Sequence, residues 1–126
     1  MRNPARLVTA ASAIAEVLGA LALTPQMAAA ADNSEQSMLE QGKEIAFDRK
    51  KGNCLACHQI DGGTLPGNIG PPLVGMKARF PDKNKLRQQI WDSTKANPNT
   101  MMPPFGRHHI LTKKEIDEVV EYIYSL

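Results

Sequence analysis

The stretch Asn53-Cys54-Leu55-Ala56-Cys57-His58 decides the fold of this 126-residue chain. A Cys-x-x-Cys-His run can hold a haem covalently, because its two thiols close thioether bonds onto the macrocycle and the adjacent histidine supplies an axial imidazole to the iron. The sequence therefore predicts one covalently attached haem c. Cys54 and Cys57 are its predicted attachment points, and His58 is a predicted axial ligand of the iron.

Two alternatives to this interpretation stay open on the residues alone. A dithiol redox pair of the thioredoxin kind would follow a strand in a βαβ unit, whereas the preceding flank, residues 47–52, is charged and ends in a glycine. A zinc site would need further thiols or a spaced histidine pair. The chain has two cysteines, and its remaining histidines, His108 and His109, are adjacent. Haem attachment is favoured over both alternatives.

The N-terminal segment has the pattern of an export signal. Arg2 and Arg6 precede a mostly apolar run, residues 7–23, and the small residues at 28–31 offer cleavage sites. Glu16 interrupts the apolar run. A charge at this position weakens the signal-peptide interpretation, and it weakens a membrane-spanning interpretation more. We therefore expect residues 1–31 to be a cleaved signal peptide. Residues 32–126 are then one domain with no stable membrane anchor.

Composition restricts the classes of function. The formal net charge of +2 is too small for the concentrated basic surface that nucleic-acid-binding proteins use. Three Phe, two Tyr and one Trp are few large side chains for so short a chain, which buries little apolar surface on its own. A bound haem would supply the missing apolar volume.

The hydrophobic periodicity predicts helices and no strands. A first helix is expected from Ser37 to about residue 48, with Ser37 and Glu40 as a candidate capping box. Gly42 and Ala46 share one face of this helix, four residues apart. From this segment alone, Gly42 either lets another backbone approach closely or only weakens an exposed helix.

Two further helices follow. Asp82 is expected to cap a helix that runs to about residue 93 and buries Leu86, Ile90 and Trp91. The alternative to a buried core position for Trp91 is that its indole N–H donates a hydrogen bond to a haem propionate. The last helix opens with the capping box of Thr112 and Glu115. Its buried stripe has helical spacing and consists of Ile116, Val119, Val120 and Ile123.

The segment 59–72 is so rich in glycine and proline that regular structure is excluded. Pro71 lies in this predicted loop and has a free carbonyl. A metal-bound histidine usually donates its second ring N–H to such an acceptor. We therefore predict that the Pro71 carbonyl orients His58, with an ordinary polyproline turn as the alternative.

Met102 is the predicted second axial ligand. It precedes Pro103-Pro104, which hold the backbone extended, and a stiff loop suits a weak thioether ligand. Met101 is expected to point elsewhere and pack, and His108 and His109 are expected at the surface. A His/Met pair fills both faces of the iron and raises its reduction potential. No catalytic residue is assigned, because such a site passes electrons.

The order of these features resembles a class I cytochrome c: Gly42, residues 54–58, Gly70-Pro71-Pro72, Met102-Pro103, and a last helix with Val119 and Tyr122. The resemblance implies an all-α fold, three to four helices wrapped around one covalently bound haem, over residues 32–126. It also implies that the first and last helices cross near Gly42 and Tyr122. Ala46 stands where the family often has an aromatic residue.

Three segments, residues 47–58, 67–73 and 99–106, are similar to the SoxX family, the small haem subunits of the SoxAX cytochromes of bacterial thiosulfate oxidation. The resemblance implies a periplasmic heterodimer with a SoxA-type haem subunit. That complex acts as an L-cysteine S-thiosulfotransferase on a SoxYZ-type carrier protein, with the sulfur chemistry on SoxA. This chain would pass the electrons to a soluble cytochrome c. A freestanding diffusible monohaem electron carrier shares every haem residue and remains the alternative.

Overall fold

The computed structural model describes residues 26–126, with side chains from residue 33 onward. It contains four α-helices in this range: α1 (Gln26–Phe47), α2 (Met76–Arg79), α3 (Lys83–Trp91) and α4 (Lys113–Ser125). Short 3₁₀ turns lie at Cys54–Ala56 and Ser93–Lys95. The described residues contain no strand, so the predicted all-α class is confirmed. Most of the predicted signal peptide, residues 1–25 with Glu16, lies outside the described residues.

Helix α1 begins well before its predicted start at Ser37. Residues 28–31 are all alanine, the strongest helix former, and the helix continues through them from Gln26. The prediction of Ser37 as an N-terminal cap was therefore wrong. The Ser37 hydroxyl instead accepts a hydrogen bond from Gln41 Nε2 at 2.8 Å, one turn further along the exposed side of the helix.

The first and last helices cross at Gly42. A Cβ atom at this position would lie 2.0 Å from the Glu118 carbonyl oxygen and 2.9 Å from Tyr122 Cβ, so only glycine permits the approach. Beside the crossing, the rings of Phe47 and Tyr122 meet edge to face, with centroids 6.2 Å apart. Of the two interpretations of Gly42, the structure therefore supports the close helix contact. Ala46 is fully buried, and the aromatic residue Phe47 follows it directly.

Helix α4 follows its prediction. Thr112 N donates to Glu115 Oε2 at 2.9 Å, and Glu115 N donates to Thr112 Oγ1 at 3.2 Å, which confirms the capping box. The predicted apolar stripe is also confirmed, since all its members are buried: Ile116, Val119, Val120 and Ile123.

Helix α3 is capped as predicted, because Asp82 Oδ1 accepts a hydrogen bond from Asn84 N at 2.9 Å. The helix ends at Trp91, two residues earlier than expected, since Asp92 leaves the helical conformation and its side chain caps the following 3₁₀ turn. Leu86 and Ile90 are buried. Trp91 is only half-buried: the Arg87 guanidinium lies 5.5 Å from the centroid of its ring system.

Helix α2 was not predicted, because four residues are too few to show a hydrophobic period. Gly75 precedes it in the left-handed conformation, with φ of 60°, which glycine adopts at no steric cost. Met76 is buried, and its N–H donates to the Leu126 carbonyl at 2.8 Å. This bond ties α2 to the end of α4. Within residues 26–126, no helix combines the length and apolar character needed to cross a bilayer.

Substituting Gly42 with alanine should lower the free energy of unfolding by about 1–3 kcal/mol, the usual range for overpacking. The added methyl group would collide with the α4 backbone, so the two helices would have to separate. Urea unfolding of the haem-loaded protein measures the change. Glu44→Ala, at an exposed position of the same helix, is the control and should stay within about 0.5 kcal/mol. Equal stability of the two variants would show that the crossing tolerates a Cβ.

Candidate haem-binding site

A cavity of about 730 Å³ opens beside the Cys-x-x-Cys-His motif. Cys54, Cys57, His58 and Met102 all line it, so the fold brings the predicted haem attachment points and both predicted iron ligands to one space. The volume is within the range of about 300–1,000 Å³ that small-molecule and cofactor sites occupy. Much of the remaining wall is formed by apolar side chains that also belong to the core: Leu73, Met76, Leu86, Ile90, Phe105, Leu111, Val119 and Ile123.

The motif is shaped by its own backbone. Cys57 N and His58 N both donate to the Cys54 carbonyl, at 3.2 Å and 2.9 Å, which closes the chain into a 3₁₀ turn. Asn53 enters this turn in the left-handed conformation, with φ of 45°, a region that asparagine tolerates better than most residues. Gly52 N donates to the Ile45 carbonyl at 3.1 Å, so the motif starts at a fixed place against the end of α1.

His58 is half-buried, and its Nδ1 lies 2.7 Å from the Pro71 carbonyl oxygen. Because a carbonyl can only accept, the Nδ1–H donates, and the Nε2 is left free to bind a metal. The imidazole ring lies flush against Gly70, where a Cβ atom would come 2.4 Å from His58 Cε1. This contact gives a physical reason for the glycine before Pro71.

The predicted loop 59–72 has no helix or strand, as expected, and it is fastened to the motif by backbone hydrogen bonds. Gly67 N donates to the Leu55 carbonyl and Gly70 N to the Cys57 carbonyl, both at 2.8 Å. Leu73 N donates to the Gln59 carbonyl at 2.9 Å. The loop is therefore held on both sides of His58, and the Pro71 carbonyl belongs to a fixed segment.

Met102 is half-buried, whereas Met101 is 73% exposed. The fully buried Ser93 donates its hydroxyl to the Met102 carbonyl at 2.7 Å. Met102 N donates to Thr100 Oγ1 at 3.1 Å. These two bonds fix the backbone of Met102, which favours its side chain over that of Met101 as the ligand.

Sequence reasoning missed both supports of Met102. Thr100 precedes Met102 by two residues and forms a local side chain to backbone bond, a pattern that Ser and Thr often adopt, so the signal was present in the sequence. Ser93 lies nine residues away on a different element and gives no local signal. The surface histidines are placed as expected, because His108 and His109 are exposed and neither lines the cavity.

Burial raises the pKa of the Cys54 thiol to about 11. Cys54 is therefore protonated at neutral pH in the haem-free chain. A redox-active dithiol needs a nucleophilic cysteine with a lowered pKa, so this environment disfavours the dithiol alternative.

A charged contact joins the motif's flank to the start of α4. Lys51 Nζ lies 2.7 Å from Glu115 Oε1. The hydrogen bond from Lys51, followed by those from Thr112, lowers the pKa of the Glu115 carboxyl from 4.5 to about 2. The same carboxylate therefore closes the capping box and ties down the residue next to Gly52.

The chain matches the cytochrome c family over residues 39–126. This is more than half of the sequence, and the chain belongs to the cytochrome c family. A solved structure described as SoxXA from P. pantotrophus superposes with a TM-score of 0.62 at 28% identity, over 68% of this chain and 79% of that one. The two matches together identify a SoxX-like cytochrome.

A second relative is an "Uncharacterized lipoprotein" of Aquifex aeolicus (strain VF5). It is 38% identical over 77 residues, which are 60% of this chain and 37% of that protein. The present chain thus corresponds to little more than a third of this relative.

A cytochrome c domain implies a covalently bound haem c, and the cavity has the side chains that such a group needs. Two thiols lie three positions apart on one turn, an imidazole has one nitrogen held by a carbonyl, and a thioether faces the same space. The walls between them are mainly apolar, as an apolar macrocycle requires. The residues present therefore fit the group.

Met102→Ala should abolish the charge-transfer absorption band that a thioether bound to ferric haem produces, because the variant removes the sulfur. Met101→Ala is the matched control and should keep the band. Absorption spectra of the oxidised, haem-loaded variants measure both. The reverse pattern would move the assignment to Met101, and a band absent already from the unsubstituted protein would point to a histidine ligand.

Glu115→Gln should make the protein less stable at pH 7, because the charge interaction with Lys51 is lost while glutamine can still close the capping box. The folded-state pKa of about 2 is below the ordinary 4.5, so the carboxylate stabilises the fold above pH 4.5 and this contribution disappears as the pH falls towards 2. The stability difference from the unsubstituted protein should shrink over that interval in urea unfolding curves. For Lys51→Met, the difference in unfolding free energy from the unsubstituted protein should shrink over the same pH interval. A difference that stays constant down to pH 2 would show that the Lys51–Glu115 contact does not lower the pKa of Glu115.

Proposed function

We propose that this chain is the electron-transfer haem subunit of a periplasmic SoxAX-type complex. The complex would act as an L-cysteine S-thiosulfotransferase, oxidatively coupling thiosulfate to a cysteine of a SoxYZ-type carrier protein. The sulfur chemistry is placed on the SoxA-type partner. The observation that supports this proposal most is the likeness to the SoxXA structure, which combines 28% identity with a TM-score of 0.62.

The residues of the cavity have separate roles in this proposal. Cys54 and Cys57 hold one haem c through thioether bonds, His58 and Met102 bind its iron, and the Pro71 carbonyl keeps the His58 ring oriented. When bound, the haem supplies a one-electron couple between ferric and ferrous iron. With both cysteines used and both axial positions filled, the chain has no thiol left for a persulfide and no open coordination site for a substrate.

The number of electrons that the proposed coupling reaction releases is compatible with a one-electron haem as their acceptor. Joining a thiosulfate sulfur to a cysteine thiolate forms one S–S bond and releases two electrons. A one-electron haem passes these electrons singly, so it must be reduced and reoxidised twice for each coupling. A soluble cytochrome c is the proposed acceptor.

Three apolar side chains at the mouth of the cavity bear on the choice between a subunit and a freestanding carrier. Ile69, Met101 and Ile110 line the cavity and are 59%, 73% and 43% exposed. Permanent subunit interfaces are large and apolar, whereas transient electron carriers use smaller contacts steered by charge. Apolar side chains that remain exposed beside the bound haem would suit the subunit better than the freestanding carrier.

The proposal predicts that the chain co-purifies with a SoxA-type haem protein from cells grown on thiosulfate. Ile69→Lys places a charge on the apolar mouth and should reduce the recovered partner at least tenfold. Met38→Lys is the matched control and should leave recovery unchanged, because Met38 is also exposed, at 36%, but lies outside the cavity lining. Unchanged haem spectra would show that both variants keep an intact site.

Isolation of the unsubstituted chain as a lone monomer, at low concentration and in the presence of the SoxA-type subunit, would contradict the subunit role. It would favour the freestanding carrier. Equal recovery of the partner with Ile69→Lys and Met38→Lys would still support the complex, but it would show that the mouth of the cavity lies outside the interface.

A further inference from the structure

The Met102 segment, residues 102–107, is bonded at both of its ends to the turn that follows α3. At one end, the Ser93 hydroxyl donates to the Met102 carbonyl at 2.7 Å. At the other end, the Gly106 N–H donates to the Trp91 carbonyl at 3.0 Å. A Cβ atom at Gly106 would lie 2.2 Å from Trp91 Cδ2, so this end of the segment lies flush against the indole ring.

Arg107 adds side-chain contacts at the far end of the Met102 segment. Its Nη1 lies 3.5 Å from Asp92 Oδ2 and donates to Thr94 Oγ1 at 3.1 Å. Its Nη2 lies 3.4 Å from His108 Nε2. The guanidinium therefore reaches from the end of the segment to the turn after α3.

Asp92 is a fixed acceptor for this guanidinium. Its side chain is buried, and its Oδ1 accepts from the Thr94 N–H at 3.2 Å and from the Thr94 hydroxyl at 2.5 Å. A buried charge is costly unless it is paired and hydrogen-bonded, and Arg107 supplies the opposite charge. Arg107 itself is 53% exposed, so its side chain can be replaced without leaving a cavity in the core.

The middle of the Met102 segment is stiff. Pro103 and Pro104 have fixed φ angles and no N–H, so they cannot donate a backbone hydrogen bond to the rest of the fold. A stiff stretch passes a movement at one end to the other. The contacts of Arg107 therefore bear on the position of Met102, although the two side chains are five residues apart.

We propose that Arg107 is a positioning residue for the Met102 thioether: by binding Asp92 it holds the Met102 segment closed over the cavity. This inference rests on the proposed haem site, with Met102 as an axial ligand. A thioether binds iron weakly, so it stays bound only while its backbone is held within reach. Loss of the Arg107 contacts should let the segment open more often and let an added ligand replace Met102.

Imidazole measures this opening in the oxidised, haem-loaded chain. When imidazole binds, the bond from Met102 Sδ to the iron breaks, a bond from an imidazole nitrogen forms, and the iron stays ferric. Loss of the thioether charge-transfer band gives the rate and the dissociation constant. Arg107→Gln should bind imidazole about fivefold faster and more tightly, the effect expected from losing a half-exposed charged contact.

Lys83→Gln is the matched control, because Lys83 forms an ion pair of the same kind at a distance from the Met102 segment. Its Nζ lies 2.7 Å from Glu121 Oε2 and joins α3 to α4, and Lys83 does not line the cavity. This variant should leave imidazole binding unchanged. Arg107→Lys keeps the charge and should give intermediate values, and it serves as the test variant if Arg107→Gln does not take up haem.

Hydrogen exchange shows where the chain opens. The Gly106 amide, which donates to the Trp91 carbonyl, should exchange with deuterium faster in Arg107→Gln, because a local opening frees it. Lys83→Gln should leave the exchange rate of this amide unchanged. Urea unfolding of both variants records how much overall stability each has lost, so that local opening and stability can be compared.

The proposal is overturned if Arg107→Gln binds imidazole like the unsubstituted chain, since the Arg107 contacts would then not hold Met102. It is also overturned if Lys83→Gln speeds imidazole binding and Gly106 exchange to the same extent, since the effect would then follow overall stability. Both outcomes leave the electron-transfer function intact. An unsubstituted chain without the thioether band would contradict Met102 as the ligand and this inference with it. The partner subunit plays no part in these measurements.

Discussion

The close crossing of α1 and α4 at Gly42 is the constraint on which the rest of the structure depends. Because no Cβ intervenes, the two backbones touch, and Phe47 and Tyr122 pack beside the contact. The end of α1 then presents the Ile45 carbonyl to Gly52, where the cysteine motif begins. The end of α4 presents the Leu126 carbonyl to α2. One contact between distant parts of the chain therefore positions both the cysteine motif and α2, and residues of both line the cavity.

The cavity and the core share their residues, which links folding to cofactor binding. Leu86, Ile90, Val119 and Ile123 are buried and also line the cavity. Burying apolar surface stabilises a fold by roughly 25 cal/mol per Å², and a chain of this length with so few aromatic residues gains little of it unaided. A covalently attached haem stays on the chain when it unfolds, so it would stabilise the fold through the apolar surface that it buries and the axial bonds that it forms on folding. The haem that the family implies thus serves as part of the core.

Local signals in the sequence predicted local structure well. The capping box at Thr112 and the Asp82 cap depend on residues within a few positions, and both were correct. The apolar stripe of α4 was correct for the same reason. The early start of α1 was not predicted, because its alanines fit both a helix and the small-residue end of an export signal. Helix α2, the half-buried Trp91 and the Ser93 bond to Met102 depend on contacts between distant segments, which a single sequence does not show.

The two candidate iron ligands are held by different means, and the difference follows from their chemistry. His58 is adjacent to Cys57, a predicted haem attachment point, and its ring is held by a carbonyl from a loop that is bonded to the motif on both sides. A thioether binds weakly and has no second atom to anchor, so the rigidity at Met102 must come from its backbone. Ser93 holds its carbonyl, Thr100 holds its N–H, and a proline follows. Both candidate ligands would thus keep their places on an iron that changes charge, which suits the electron transfer of a cytochrome c domain.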